Sequence, residues 1–571
     1  MRTLGTLKTF ALLTGLIVAG CREESAAPSN TSTASSSQAE WFIDVALEMG
    51  IDFTHDAYIS GEFYMPEQAA GGCGWFDMDS DGDMDAYFLQ GADFRGAAAT
   101  KPNRVFRNDE DRFTDVTESS GLGDTGYGMG MCAADVDSDG DTDLYVTNVG
   151  PNRMYINLGN GRFEDRTESM GVGDEGWGTS CAFLDYNGDG RQDLFVTNYI
   201  RWAAEREKMC FNARGERDYC GPERYESPAP DVLYRNNGDG TFADVSKQAG
   251  FTKAFGNGLG VIVADFNDDM RTDIYVANDL TPNNLWINQG DGTFIDTALL
   301  AGADVNMDGK AQASMGVDAA DIDDDGDLDL FMTHLENEYN TFYRNLGGGR
   351  FRDESVRIGF QQWSFPLTGF GTLFFDYDHD GDLDLFVANG RIQKHIEPLG
   401  PDVSPYAEAN TLLRQEADHS FVDVSHEAGG AITRPLVSRG AAFADYDNDG
   451  DLDILISNTS GPAQLLRNDA PKLGHFAMVR AVSGDPPTDA LGAAVYLICK
   501  GRTLRRDVRP AASYCSANDP RVHFGWTDSM QPSAMDIRWP DGLHERFDPP
   551  AANARVIVHR GAGRPIEDKR P

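Results

Sequence analysis

Along most of this chain, apolar runs of four to seven residues recur in pairs, with an acidic turn between the members of each pair. Residues 128–148 show the pattern: "GMGMCAA", then "DVDSDGDTD", then "LYVTN". The first run is small and glycine-rich and the second β-branched and aromatic. Short apolar runs bounded by turn residues read as strands, so each pair predicts a β-hairpin. The arrangement returns as "GTSCAFL" before "LFVTN" and as "GVIVA" before "IYVAN". Downstream of the hairpins come a short strand of the type Arg-x-Tyr-x-Asn, a turn such as "NNGDG" or "NQGDG", and then Phe-x-Asp. Each unit therefore predicts four antiparallel strands.

The acidic groups begin at Asp77, Asp135, Asp185, Asp265, Asp321, Asp376 and Asp445, about 61 residues apart on average. Four-stranded repeats of this size indicate propeller blades. Outside these groups and the residues leading into them, Phe-x-Asp also occurs seven times, at Phe42, Phe113, Phe163, Phe242, Phe294, Phe351 and Phe421. Its first copy precedes every acidic group, and the last acidic group has none after it. A ring explains that offset: the N-terminal strand completes the last blade and no open edge remains. The fold class expected is all-β, a seven-bladed propeller over residues 41–470.

Carboxylates this close repel, at about 4 kcal/mol per pair at 4 Å with an effective dielectric near 20. A hard cation offsets that cost. Calcium takes six to eight oxygens in irregular geometry, and a nine-residue loop supplies side-chain oxygens from positions 1, 3, 5 and 9, with glycine at 6 for the sharp turn. The expected ligands are Asp77, Asp79, Asp81 and Asp85 in the first loop, and Asp135, Asp137, Asp139 and Asp143 in the second. The third offers Asp185, Asn187, Asp189 and Asp193, and the fourth Asp265, Asn267, Asp269 and Asp273. The fifth offers Asp321, Asp323, Asp325 and Asp329, the sixth Asp376, Asp378, Asp380 and Asp384, and the seventh Asp445, Asp447, Asp449 and Asp453. Up to seven Ca2+ ions are expected. The fourth loop is the weakest candidate, because Met270 stands where glycine belongs and must take a positive φ or reshape the turn.

The formal charge of −44, from 48 basic and 92 acidic residues among 571, argues against nucleic acid as a partner and favours cations. Residues 471–571 reverse the balance, with 15 basic and 11 acidic residues, which marks a boundary and a small C-terminal β module over 471–560, followed by a tail to 571. At the other end, Arg2 and Lys8 precede an apolar stretch from Phe10 to Ala19 that is too short to span a bilayer. It ends in "VAGC", similar to the lipobox of bacterial lipoproteins, with Cys21 as the lipid acceptor. Residues 22–40 read as a flexible tether. The expectation is export, with a lipid anchor as the sole membrane contact, in the outer membrane or at the cell surface.

Export fits an oxidising compartment. Cys210 and Cys220 flank "FNARGERDY" within an insert at about 201–230, where a disulfide would pin a loop projecting from the ring. Cys499 and Cys515 form a second candidate pair. Cys73, Cys132 and Cys181 precede acidic groups and read as small buried residues near the axis. No nucleophile elbow, zinc-helix or phosphate-loop motif is present. The best catalytic candidate is the cluster His55, Tyr64 and Glu67, joined by Glu336 and Asp279. The simpler reading of that cluster is an inter-blade support, so no catalytic residues are assigned.

The repeats resemble the integrin-α-type units called FG-GAP or VCBS repeats. The order of "YMPEQAAGGCGWFDMDSDGDMD", "YCGPERY", "VANDLTPNNLWINQGDGTF" and "ASMGVDAADIDDDGDLDL" is similar to that in the cartilage acidic protein family. "LGAAVYLICKGRTLRRDVRPAASYCSANDPRVHFGW" resembles the ASPIC/UnbV module that ends such proteins. The resemblance implies a calcium-bearing propeller with an extracellular binding or adhesion role toward a protein or glycan. It implies neither a ligand nor a reaction. Two alternatives stand beside it: a propeller enzyme acting on a polysaccharide or small molecule, and an assembly subunit of an exported complex.

Overall fold

In the computed structural model the described residues are 40–96, 100–110, 112–253, 255–394 and 403–566. The expected signal segment, Cys21 and residues 22–39 of the expected tether lie outside them, as do residues 567–571. Seven four-stranded antiparallel blades follow the seven repeats, and two further strands extend the sheet of the first. Blade 1 comprises Cys73–Phe76, Asp85–Phe88, Arg104–Asn108 and Phe113–Asp115, and blades 2 to 6 repeat the order. Blade 7 takes three strands from its own repeat, Ser438–Ala444, Asp453–Asn458 and Gln464–Asn468. Its fourth is Phe42–Asp44, in the register Phe42↔Asn468, Ile43↔Arg467 and Asp44↔Leu466. The inner strands of blades 1 and 7 pack together as the other neighbouring pairs do, and the ring closes.

The glycines of the inner strands have a steric cause. A Cβ on Gly130 would lie 2.6 Å from the carbonyl oxygen of Thr179 in blade 3, and one on Gly440 would lie 2.8 Å from that of Gly71. Real Cβ atoms do not come so close, so adjacent blades approach to this distance only through glycine. The phenylalanines of Phe-x-Asp have the opposite role. They are buried and wedge between blades, as Phe113 against Tyr446 (5.8 Å between ring centres) and Phe351 against Phe266 (6.3 Å). The aspartate that follows caps a turn. Asp115, Asp165, Asp244, Asp353 and Asp423 each accept the amide of the Thr or Ser two residues on.

The C-terminal module has two sheets. One is built on His475–Ser483 with Val522–Trp526 and Ala554–His559, the other on Ala494–Cys499 with Arg502–Asp507 and Pro532–Arg538. They enclose a core that includes Val479, Leu497, Phe524, Ile537 and Trp539. Between the sheets, the hairpin Ala511–Ala512/Ser516–Ala517 leaves the module and enters the ring, where Ala517 pairs in parallel with Gly74 of blade 1. Ser513 bridges Val317 of blade 5, its hydroxyl donates to Ala441 O of blade 7, and the Cys515 amide donates to Ser180 Oγ of blade 3. The hairpin plugs the axis. The described residues from Glu40 onward accordingly form one compact unit.

Candidate metal loops and the plugged channel

Each acidic loop joins the inner strand of its blade to the second strand. The position-1 carboxylate closes it by accepting the amide of position 6: Gly82 to Asp77 (3.1 Å), Gly140 to Asp135 (3.1 Å), Gly381 to Asp376 (3.0 Å) and Gly450 to Asp445 (3.1 Å). Position 6 is left-handed throughout, and in the fourth loop Met270 takes φ 66° and still donates to Asp265 at 2.9 Å. The loop keeps its shape and carries the strain, a cost of about 1–3 kcal/mol. Position 4 is left-handed as well, at Ser80, Ser138, Asp268, Asp324, His379 and Asn448, a requirement not apparent in the sequence pattern.

The loops converge carboxylates. In five of them, three acidic side chains bring ligand atoms within 4.8 Å of one another: Asp77/Asp79/Asp85, Asp135/Asp137/Asp143, Asp321/Asp323/Asp325, Asp376/Asp378/Asp384 and Asp445/Asp447/Asp453. Buried oxygens of Asp79, Asp321, Asp323, Asp378 and Asp445 have no hydrogen-bond partner, which is costly unless a cation faces them. Burial pushes these acids upward, Asp77 to about 6, Asp321 and Asp445 to about 7, and Asp143 and Asp376 to about 8. Carboxylates crowded and desolvated in this way fit a hard divalent ion.

The remaining two loops differ in charge. Where five loops have aspartate at position 7 (Asp83, Asp141, Asp327, Asp382, Asp451), the third and fourth have Arg191 and Arg271. Each guanidinium pairs with its own position-5 carboxylate, Asp189 or Asp269. Arg538 of the module also stands 3.4 Å from Asp265. With asparagine at position 3 and arginine at position 7, these two are the weakest candidates for a cation. In the fifth loop Arg344 pairs with Asp323 (2.5 Å) and Asp329 (3.0 Å).

The position-9 aspartates serve the fold too. One oxygen accepts the backbone amide of the asparagine or glutamine ending the third strand: Asn108 to Asp85 (2.7 Å), Asn236 to Asp193 (2.7 Å), Gln415 to Asp384 (2.8 Å) and so on round the ring. The side-chain amide of that same residue crosses to the preceding blade and donates to the carbonyl of loop position 2. The pairs are Asn108–Tyr446, Asn157–Met78, Asn236–Val136, Asn288–Tyr186, Asn345–Phe266, Gln415–Ile322 and Asn468–Tyr377, at 2.7–3.0 Å. Seven latches join seven blades through the metal loops. The recurrent asparagine of the third-strand motif was the signal for them, and its role was not read.

The module rests on the loop face through arginines. Arg502 pairs with Asp324 and Asp382, Arg505 donates to Gly326 O (2.7 Å), Arg521 to Asp445 O (3.0 Å) and Arg538 to Asp268 (2.6 Å). Family models match this layout. The FG-GAP-like repeat matches residues 77–146, 135–196, 211–276, 265–332 and 321–387, together more than half of the chain, and ASPIC and UnbV matches 484–565.

The chain belongs to the FG-GAP-repeat, ASPIC/UnbV family. It is 28% identical to human cartilage acidic protein 1 over 362 residues (59% of this chain, 51% of that protein). It is 30% identical to the Xenopus tropicalis protein over 313 residues (52% and 44%). It thus matches about half the length of these relatives. Among solved structures, an Agrocybe aegerita lectin that recognises non-reducing terminal N-acetylglucosamine aligns at 14% identity and TM-score 0.36, over 69% of this chain and 86% of that one. A likeness that low carries no argument. Neither matched family is an enzymatic domain.

In this member of the family the far end of the channel is closed as well. Cys210 and Cys220 are joined by a disulfide (S–S 2.10 Å). The insert does not project, as expected from the sequence; it lies across the ring. Tyr219 donates to Glu67 (3.0 Å), Glu207 accepts from Met65 N (3.1 Å), and Asp218 accepts from Lys394 N and Tyr406 OH (both 3.1 Å). The insert therefore spans from blade 3 to the loop after blade 6. Beneath it Phe94, Tyr127, Trp177, Tyr199 and Trp202 pack round Tyr514 of the plug.

The catalytic candidates are supports in this setting. Glu67 holds the insert, Asp279 accepts from Tyr199, Glu336 pairs with Arg391 (2.5 Å), and His55 is buried with Nδ1 accepting the Ser460 amide (3.2 Å). Tyr64 packs edge-on against Phe94 and Trp202. Cys499 and Cys515 are not paired. The first lies in the module core and the second at the ring axis beside Gly72 and Gly130, so burial in separate places keeps both as thiols. Cys73, Cys132 and Cys181 are buried thiols too.

Proposed function

We propose that the protein is an exported, lipid-anchored binding or adhesion protein whose propeller is held together by calcium. The observation that carries the cation reading is that carboxylates converge within single loops and that oxygens of Asp79, Asp321, Asp323, Asp378 and Asp445 are buried there without a hydrogen-bond partner. The aspartates at positions 1, 3, 5 and 9 would hold the ion. Bound calcium supplies the positive charge that lets these acids stay ionised inside the fold. Position 1 orients the loop through the position-6 amide, and position 9 ties the loop to the third strand, so occupancy stabilises the inter-blade latches rather than opening a helix pair. The ion is structural, five sites bind strongly, and those at Asp185 and Asp265 bind weakly or not at all.

Binding at exposed surfaces is favoured over catalysis in the channel because the plug and the insert fill both ends of it. A recognition surface is available at the outer tip of the insert, where Met209 and Phe211 are 67% and 58% exposed among charged neighbours. Partners of this class are proteins or glycans at the cell surface, and the net charge of −44 disfavours nucleic acid. The chemistry of Cys21 supports a lipid anchor.

The deciding experiment is metal analysis with thermal unfolding of the full-length protein. About five tightly held Ca2+ per chain, and a marked fall of Tm in excess EGTA, are expected. No bound calcium and an unchanged Tm would refute the cation reading. Substituting Met209 and Phe211 by alanine should leave Tm unchanged and reduce capture of surface partners. Undiminished capture would place recognition elsewhere.

A further inference from the structure

Between ring and module lies a second kind of site. A partly open cavity of about 110 Å³ lies between blades 5, 6 and 7 on one side and the module on the other, and four arginines, Arg505, Arg506, Arg509 and Arg521, line it. Its carboxylates are all engaged. Asp507 is bound by Arg505, Asp519 by Arg521, and Asp318 by Arg509 and the Phe374 amide (2.8 Å), while Asp376 accepts the amides of Asp380 and Gly381.

The donors are not all engaged. Every buried side-chain polar atom in the cavity wall that lacks a hydrogen-bond partner is a nitrogen: Arg506 Nη2, Arg509 Nε and Nη1, and the ring nitrogens of His523, of which one donates because burial keeps the ring neutral. No side-chain oxygen of the wall is left over. Arg506 has its Nη1 on the Arg505 carbonyl (2.8 Å) and its guanidinium over the Phe524 ring (5.6 Å), with no carboxylate paired to it. Buried charged donors without acceptors cost several kcal/mol. Water answers this poorly, since each molecule brings two donors of its own into a wall already rich in them. A species that only accepts answers it well.

We propose that this cavity binds a small inorganic anion, a halide or a tetrahedral oxyanion, held by Arg506, Arg509 and His523 between ring and module. The anion accepts from Arg506 Nη2 and from the Arg509 guanidinium, and it joins basic groups that belong to the module to the blades against which they pack. In a chain of net charge −44 such a site exists because the module concentrates arginine where the propeller has already spent its carboxylates on the metal loops and on ion pairs. Asp376, a ligand of the sixth loop, also lines the cavity, so the anion titrations are run at one fixed free calcium concentration.

The test uses full-length protein unfolded thermally in gluconate buffer at constant ionic strength, titrated separately with chloride, bromide and sulfate. Tm should rise and saturate with at least one of them. In the Arg506→Gln variant, checked for native circular dichroism, half-saturation should move at least about tenfold higher, as the loss of a charge-assisted hydrogen bond demands. Saturation by the halides alone assigns a halide site, and saturation by sulfate alone an oxyanion site. Crystals soaked in bromide or grown in sulfate should show the anion beside Arg506 Nη2. The proposal is overturned if the rise never saturates, if it is the same in the variant, or if the cavity holds only water in those crystals. Should Arg506→Gln not fold, the crystal result decides alone.

Discussion

The hydroxyl of Tyr514, a residue of the C-terminal module, donates at 2.7 Å to the carbonyl oxygen of Ala69, in the segment that leads into blade 1. Tyr514 is fully buried, and its ring packs edge-on against Phe370 of blade 6, 5.0 Å away. The module thus reaches through the ring to the face opposite its own sheets. Tyr514→Ala should destabilise the propeller by about 3–5 kcal/mol, as large-to-small changes at closed sites do. Tyr514→Phe should cost about 1 kcal/mol, the value of the hydrogen bond alone. Denaturant unfolding measures both, and equal effects would mean the hydroxyl, not the ring, holds the plug.

The inter-blade latches make a separable prediction. Asn157→Ala removes donors from Met78 O and Thr142 O inside the structure and should cost about 1–3 kcal/mol. Asn237→Ala, one residue beyond a latch on an exposed turn, should cost under about 0.5 kcal/mol. Similar losses at both positions in chemical denaturation would remove the asparagines from the account of blade docking.

Calcium should invert the pH dependence of stability. Without metal, Asp143 and Asp376 titrate near 8 and Asp321 and Asp445 near 7 because burial disfavours their charge, whereas unfolded aspartate titrates near 3.8. Between these values the native state holds protons that the unfolded chain has released. Stability in EGTA should therefore fall as pH rises from about 4, and level off above about 8. With saturating calcium the acids are ionised in the fold and protons compete with the ion, so stability should fall in the other direction, as pH drops below about 7. Tm measured from pH 5 to 8 with and without chelator reads both slopes. Parallel curves would count against metal at these loops.

The loops should also release their ions at different rates. Asp376, Asp378 and Asp384 are all buried, because Gly525 lies against the Asp376 carboxylate and Met530 against Gly381. Phe476 closes the neighbouring loop at Gly450 in the same way. In blade 2, by contrast, Asp137 is exposed. Stopped-flow chelation should be biphasic, with Asp378→Asn removing amplitude from the slow phase and Asp137→Asn from the fast one. A single rate unaffected by either change would show that the module seals nothing.

Much of this was legible in the sequence because it repeats. Seven hairpins with aspartate at fixed spacing, and a Phe-x-Asp series displaced by one element, specify the blades and the strand Phe42–Asp44 that closes them. Two things were not legible. The plug has no period: "RPAASYCSAND" carries small residues and one tyrosine, and only the width of the axis makes that composition meaningful. The insert, rich in alternating charge, reads as a solvated loop. Glu207, Asp218 and Tyr219 are instead committed to partners from Met65 to Tyr406, far away in the chain. Contacts of long sequence separation leave no local pattern.

The strand Phe42–Asp44 meets its partner more than 400 residues downstream, and the hairpin inside the ring follows later still. Closing so long a loop costs on the order of 5 kcal/mol in chain entropy. A chain emerging N-terminus first carries an unmatched β-edge for nearly its whole length and a hollow centre until almost its end. The protein is like a barrel whose bung is cut from its last stave. Any stop codon ahead of residue 510 leaves blades without their centre, so loss of the final hundred residues amounts to loss of the whole molecule rather than of an appendage.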